Sequence, residues 1–168
     1  MMLRSLSARR RPEGNGRGFT LVELLIVLSI IGVLAAVTVP RFSGASAPAG
    51  RSTFVKNLRT FIEGAFVFEM RNGETLAPAE SGELPAGFEG YIREVQWTQV
   101  TPIGGRWDVE ALSVDGEAVI GIGVHFKDVA QTVSAADMVE IDSVLDDGDV
   151  TTGSFRQFGE DRYYWILN

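Results

Sequence analysis

The sequence predicts an α+β protein: a long N-terminal helix (transmembrane half, hinge, amphipathic half) packed on a small antiparallel sheet, with a second short helix and a C-terminal hairpin. Three observations carry that expectation. An apolar block at 19–39 is broken by a single charge, Glu23, and is long enough for a helix across a bilayer. Apolar residues at helical spacing return at 52–72. After residue 105, short runs of β-branched and aromatic residues are divided by Gly-containing turns. The 168 residues include no cysteine, so neither a disulfide nor a thiolate metal site is available to brace the fold.

The head of the chain, residues 1–18, is basic. Arg4, Arg9, Arg10, Arg11 and Arg17 face one acid, Glu13, within it. Setting those aside leaves 10 basic against 21 acidic side chains, so a basic head precedes an acidic body of net −11. Excess positive charge before an apolar helix orients the N-terminus toward the cytoplasm, with Arg41 and Arg51 the only basic residues soon after. The expected organisation is a leader at 1–18, a membrane and assembly helix at 19–40, a hinge at 41–50 and an exported globular domain at 51–168. A cleaved secretory signal is the competing reading. Its apolar core would be only about 7–15 residues, and Leu34-Ala35-Ala36 matches its cleavage site weakly.

Residues 18–42, GFTLVELLIVLSIIGVLAAVTVPRF, resemble the prepilin-type N-terminal motif shared by type IV pilins and the pseudopilins of type II secretion. The resemblance implies cleavage between Gly18 and Phe19 by a prepilin peptidase, N-methylation of Phe19, and assembly with identical or homologous subunits into a filament. Physical chemistry agrees. An acid inside a bilayer costs several kcal/mol unless paired, which makes Glu23 a functional candidate. Cleavage after Gly18 creates an ammonium at Phe19, and a neighbouring subunit's Phe19 could be the charge that Glu23 lacks. The plainer reading is a Glu near the interface, solvated by snorkelling. Gly18 leaves the scissile bond uncrowded. Gly32 is a weak marker of helix contact, and Pro40 is placed to kink or end the helix.

Small residues with Gly and Pro at 43–50 read as a hinge or melted linker. Then Phe54, Leu58, Phe61, Ile62, Ala65, Phe66 and Phe68 give a broad apolar stripe, stopped at Asn72-Gly73. A core helix explains those phenylalanines better than a ligand groove does. Residues 75–90 read as a loop with one short helical turn. The segment 101–107 resembles the proline-aromatic-glycine turn of major pseudopilins, with Ile103 at the aromatic position. Strands at 106–114 and 117–126 flank Asp115-Gly116, a two-residue hairpin signal. A helix at 135–147 is expected, capped by Ser134 and closed by Gly148, with Met138, Ile141, Val144 and Leu145 inside. Strands at 154–158 and 162–167 form the last hairpin, its aromatics covering the sheet.

No catalytic constellation emerges, and the expected protein is not an enzyme. His125, the only histidine, lies in a strand and reads as a packed or edge residue. Asp142, Asp146, Asp147 and Asp149 suit calcium, which takes six to eight oxygens, and major pseudopilins resemble this in holding calcium in a C-terminal loop. Their spacing does not fit an EF-hand, and a solvated helix face explains Asp142 equally. The expected function is a pseudopilin of a type II secretion system in the inner membrane, N-terminus cytoplasmic and C-terminal domain periplasmic. Its partners would be the peptidase, other subunits and the secretion or pilus assembly machinery. A surface pilin for adhesion, motility or DNA uptake is the alternative; an acidic body opposes nucleic-acid binding.

Overall fold

A computed structural model describes the backbone of residues 19–167 and the side chains of 19–32 and 48–167. The leader at 1–18, with Gly18, lies outside the described residues, as do the side chains of Pro40 and most of the expected hinge. The chain divides into two units, Met1–Arg41 and Phe42–Asn168. Helix α1 is Leu21–Asn72, so its residues fall in both.

In the first unit α1 opens with a cap. The Glu23 N–H donates to Thr20 Oγ1 at 3.2 Å, so Thr20 fills the N-cap position with Glu23 three residues on. Ser29 Oγ donates to the Leu25 carbonyl at 2.7 Å, which satisfies a lone hydroxyl within its own helix. Among the described residues no helix is long and apolar enough to cross a membrane.

The backbone at 41–50 is helical rather than melted. Gly50 has a packing reason there: a Cβ on it would lie 2.8 Å from the Pro102 carbonyl oxygen. What reads in sequence as looseness is, at this position, close approach of helix and loop.

The second unit is helices packed on a four-stranded antiparallel sheet of order β1-β2-β4-β3. Strand β1 is Arg106–Val114, β2 Glu117–His125, β3 Phe155–Gln157 and β4 Arg162–Leu167. The β1–β2 turn is the expected Asp115-Gly116, both at positive φ (53° and 87°), which matches the right-handed twist of the strands. Strand alternation sends Trp107, Val109, Ile122, Val124, Tyr163 and Leu167 to one face, where they are buried. The stripe on α1 lies over them: Phe54, Leu58, Phe61, Ile62, Ala65 and Phe68 are all under 9% exposed. Phe54 stacks on Trp107 with centroids 5.0 Å apart, and Phe61 meets the same indole edge-on at 4.8 Å.

Phe66 departs from the expected stripe at 40% exposure, since its place on the helix turns it away from the sheet. Residues 75–90 form the expected loop, anchored by buried Leu76 and Phe88. The short helix α2, Glu94–Thr98, sinks Trp97 against Phe61 and Phe88. Loop backbone also runs along β1, where the Ala79 and Gly82 N–H groups donate to the Val109 and Trp107 carbonyls. The turn before β1 buries Ile103, and Gly104 and Gly105 both take positive φ. Helix α3, Ala135–Leu145, begins with a full capping box between Ser134 and Asp137 and ends before Gly148 at φ 85°. Met138 and Ile141 are buried as expected. Val144 is not; at 56% exposure it faces away from the core.

Candidate functional site

Of the residues expected to govern processing and assembly, Phe19 and Glu23 are described and Gly18 is not. Phe19 is 71% exposed and precedes the cap; Glu23 sits in the first turn of α1. An acid there is favoured by the uncompensated N–H groups of a helix start and by the macrodipole. The large apolar side chains from Leu21 to Ile31 are 43–87% exposed among the described residues, an extended apolar surface.

The acidic residues lie in the second unit. Asp142 is on the buried face of α3, fully inaccessible, and neither of its carboxylate oxygens has a hydrogen-bond partner. Asp146 and Asp147 follow where the helix stops, and one oxygen from each of the three falls within 4.8 Å of the others. Burial pushes the Asp142 carboxyl up to about 6, with the charges of Asp147 and Asp146 adding to it. Asp147 is held below the ordinary carboxylate range by the Asp149 N–H and the Thr152 hydroxyl. Asp146 accepts from the Ser154 N–H, tying the end of α3 to the start of β3. Asp149 stands apart from the trio and accepts from Thr151 through both N–H and hydroxyl, which shapes the loop.

Gly153, at φ 68°, closes the loop over the trio; a Cβ there would run into the Asp146 carboxylate. An unpaired buried carboxyl beside two ionised ones is a costly arrangement without a cation and an ordinary one with it. The residues present therefore fit a hard divalent ion. Sequence reading found all four aspartates but could not separate the three that converge from the one that does not.

A second polar group was missed. On the sheet face away from α1, Asp108, Glu110, His125, Arg162 and Tyr164 lie together. Their signal was the strand alternation itself, with acids at 108 and 110 between buried Trp107 and Val109.

A family model described as the prokaryotic N-terminal methylation motif matches residues 15–39. The chain is 35% identical over 94 residues to the type II secretion system core protein G of Klebsiella pneumoniae, covering 47% of this chain and 65% of that protein. It is 28% identical over 127 residues to the core protein G of Escherichia coli K12, covering 64% and 88%. With the type IV major pilin protein PilA of Myxococcus xanthus it shares 49% identity over 49 residues, 29% of this chain and 22% of the pilin. The chain thus spans less than two thirds of the length of the Myxococcus and Klebsiella relatives. No solved structure matches it. The motif and these relatives are those of pilin-like proteins: the chain is similar to type II secretion core protein G along much of its length and to type IV pilins at its N-terminal segment.

Proposed function

We propose that the chain is a structural, non-enzymatic subunit of a type IV-like filament, a pseudopilin of a type II secretion system, processed by a prepilin peptidase. The observation that carries this is the pairing of the methylation motif at 15–39 with similarity to core protein G that continues over 94 to 127 residues. The Myxococcus pilin matches over only 49 residues, which favours the secretion reading over a surface pilin.

In this reading the peptidase cuts after Gly18 on the cytoplasmic side, and Phe19 becomes a methylated terminus. The apolar surface of 19–40 anchors the subunit in the inner membrane, and 51–168 lies in the periplasm. Glu23 sets axial register by facing the Phe19 ammonium of a neighbour, an attraction of several kcal/mol in a low-dielectric setting. N-terminal mass spectrometry of membrane-purified protein tests the first step and should read methylated Phe19. A native polypeptide still beginning at Met1 or Met2 refutes it. Glu23→Ala should leave cleavage intact and abolish filaments in a reconstituted assembly assay.

Calcium is part of the proposal, because Asp142 is otherwise a buried acid with no partner. Asp142, Asp146 and Asp147 would hold the ion, and Asp149 would keep the loop in shape. The ion would supply the fixed positive charge that three converging carboxylates lack and fasten α3 to β3, a brace in place of the missing disulfide. Calcium added to the purified full chain should raise its unfolding midpoint, by about 2.7 kcal/mol at a hundredfold excess over Kd. Asp142→Asn should remove that gain; an unchanged midpoint in the parent would end the calcium reading.

A further inference from the structure

The outer face of the sheet carries a row of polar groups separate from the acidic loop and the N-terminal residues. Asp108 on β1, Gly123 on β2 and Tyr164 on β4 are register partners, one beside the next. Gly123 has no side chain, and a Cβ there would collide with the β4 backbone at Tyr163 and Tyr164. One on Gly121 would strike Leu112 and the base of Tyr164. The two glycines open a lane along which Tyr164 reaches across β2 and places its hydroxyl between two acids of β1.

Counting protons at that hydroxyl decides its chemistry. Tyr164 Oη is hydrogen-bonded to Asp108 Oδ2 and lies 2.9 Å from Glu110 Oε2. A phenol has one proton to give. Two ionised carboxylates cannot both be served by it, so one contact needs a proton from the acid. Glu110 is not that acid: Arg162 Nη1 donates to both of its oxygens at 2.6 and 2.8 Å. Asp108 is 4% exposed, with the His125 ring nitrogen 3.6 Å away, outside hydrogen-bond range.

We propose that this row is a proton-holding clasp, in which Asp108 donates its proton to Tyr164, Tyr164 donates to Glu110, and Arg162 locks Glu110 in its charged form. Each contact of the Tyr164 hydroxyl then has one donor and one acceptor. The direction of the shifts agrees. Burial raises the Asp108 carboxyl above the ordinary range, with Tyr164 and His125 acting against it. Burial also acts on Glu110, but the hydrogen bonds from Arg162 and Tyr164 hold it lower than usual. Burial keeps the Tyr164 phenol protonated throughout.

The clasp joins β1 to β4 across β2, so its protonation is read as stability. A carboxyl raised in the folded state contributes fully below the ordinary Asp range, and that contribution is lost as pH rises through the folded value. Ionised Asp108 would then share the Tyr164 oxygen with charged Glu110. The titratable and charged groups around it are Glu110, Arg162 and His125, with Asp161 paired to the last two. Glu80 and Lys127 line the cleft of about 240 Å³ that gives it solvent access.

The test is carboxyl-carbon NMR of the full chain in detergent micelles, with denaturant unfolding from pH 4 to 9. Asp108 should titrate well above the free value of about 3.9. Asp108→Asn supplies a permanent neutral donor, so its midpoint should equal or exceed the parent's at pH 7. It should also lose the parent's decline toward alkaline pH. Titration of Asp108 at or below the free value overturns the proposal. So does a variant that loses the same stability at pH 5 as at pH 8. If the variant fails to fold, the carboxyl titration of the unaltered chain decides alone.

Discussion

Thr20 shows how one hydroxyl fixes where an element begins. Its hydroxyl caps α1 through the Glu23 N–H, which places the acid in the first helical turn. Glu23 is therefore helix-compatible before any partner arrives. Thr20→Ala removes the cap at a cost of about 1 kcal/mol of local helix stability. Cleavage should survive, and hydrogen exchange at 21–24 should rise in the variant. Gly153 is the matching case in the acidic loop. Its φ of 68° and the collision a Cβ would make with Asp146 both reject a side chain. Gly153→Ala should lower the unfolding midpoint by about 1–3 kcal/mol and weaken the calcium response. Neither role shows in sequence, because a capping hydroxyl is ordinary and a glycine's φ is set by what lies across the loop.

Among the elements, α3 is held by its ends. Ser134 and Asp137 form its capping box, and Arg51 of α1 pairs with Asp137 and Glu140. Arg59 donates to the Val144 carbonyl near the other end. Arg51→Ala should cost about 1 kcal/mol or less, since Glu140 is largely exposed and such pairs are screened. Ser134→Ala should cost about as much through the cap. Thermal unfolding of both in low and high salt separates them: only the Arg51 effect should shrink with salt. The start of α3, the β1–β2 turn and the last hairpin were legible because caps, Asp-Gly turns and aromatic alternation are local signals; the end of α3, expected at 147, falls at Leu145, where Asp146 takes the C-cap. Helix α2 was not, since five residues carry no period and only burial of Trp97 against Phe61 and Phe88 explains it. The Asp108–Tyr164 row escaped notice for a similar reason. It depends on β4 lying beside β2, a pairing of residues forty positions apart.

For the molecule as a whole, the second unit contains its own core, with Trp107 at the meeting point of Phe54, Phe61 and Trp97. Trp107→Ala should cost about 3–5 kcal/mol. In a domain without disulfides that is a large part of the total, so urea denaturation should show a midpoint collapse rather than a shift. The apolar run at 19–39 and the acidic balance of the rest of the chain were both legible from composition alone. Gly50 was not legible as a packing residue, because its need for a small side chain comes from its contact with Pro102.

The loop backbone along β1 has one more effect. Ala79 and Gly82 occupy carbonyls on that border strand, and β3 on the opposite border is only three residues long. Bare sheet margins invite a stranger's strand to zip on. With two carbonyls taken on one margin and only three residues on the other, a strand from another copy finds little to pair with, and crowding at high local concentration need not end in aggregation.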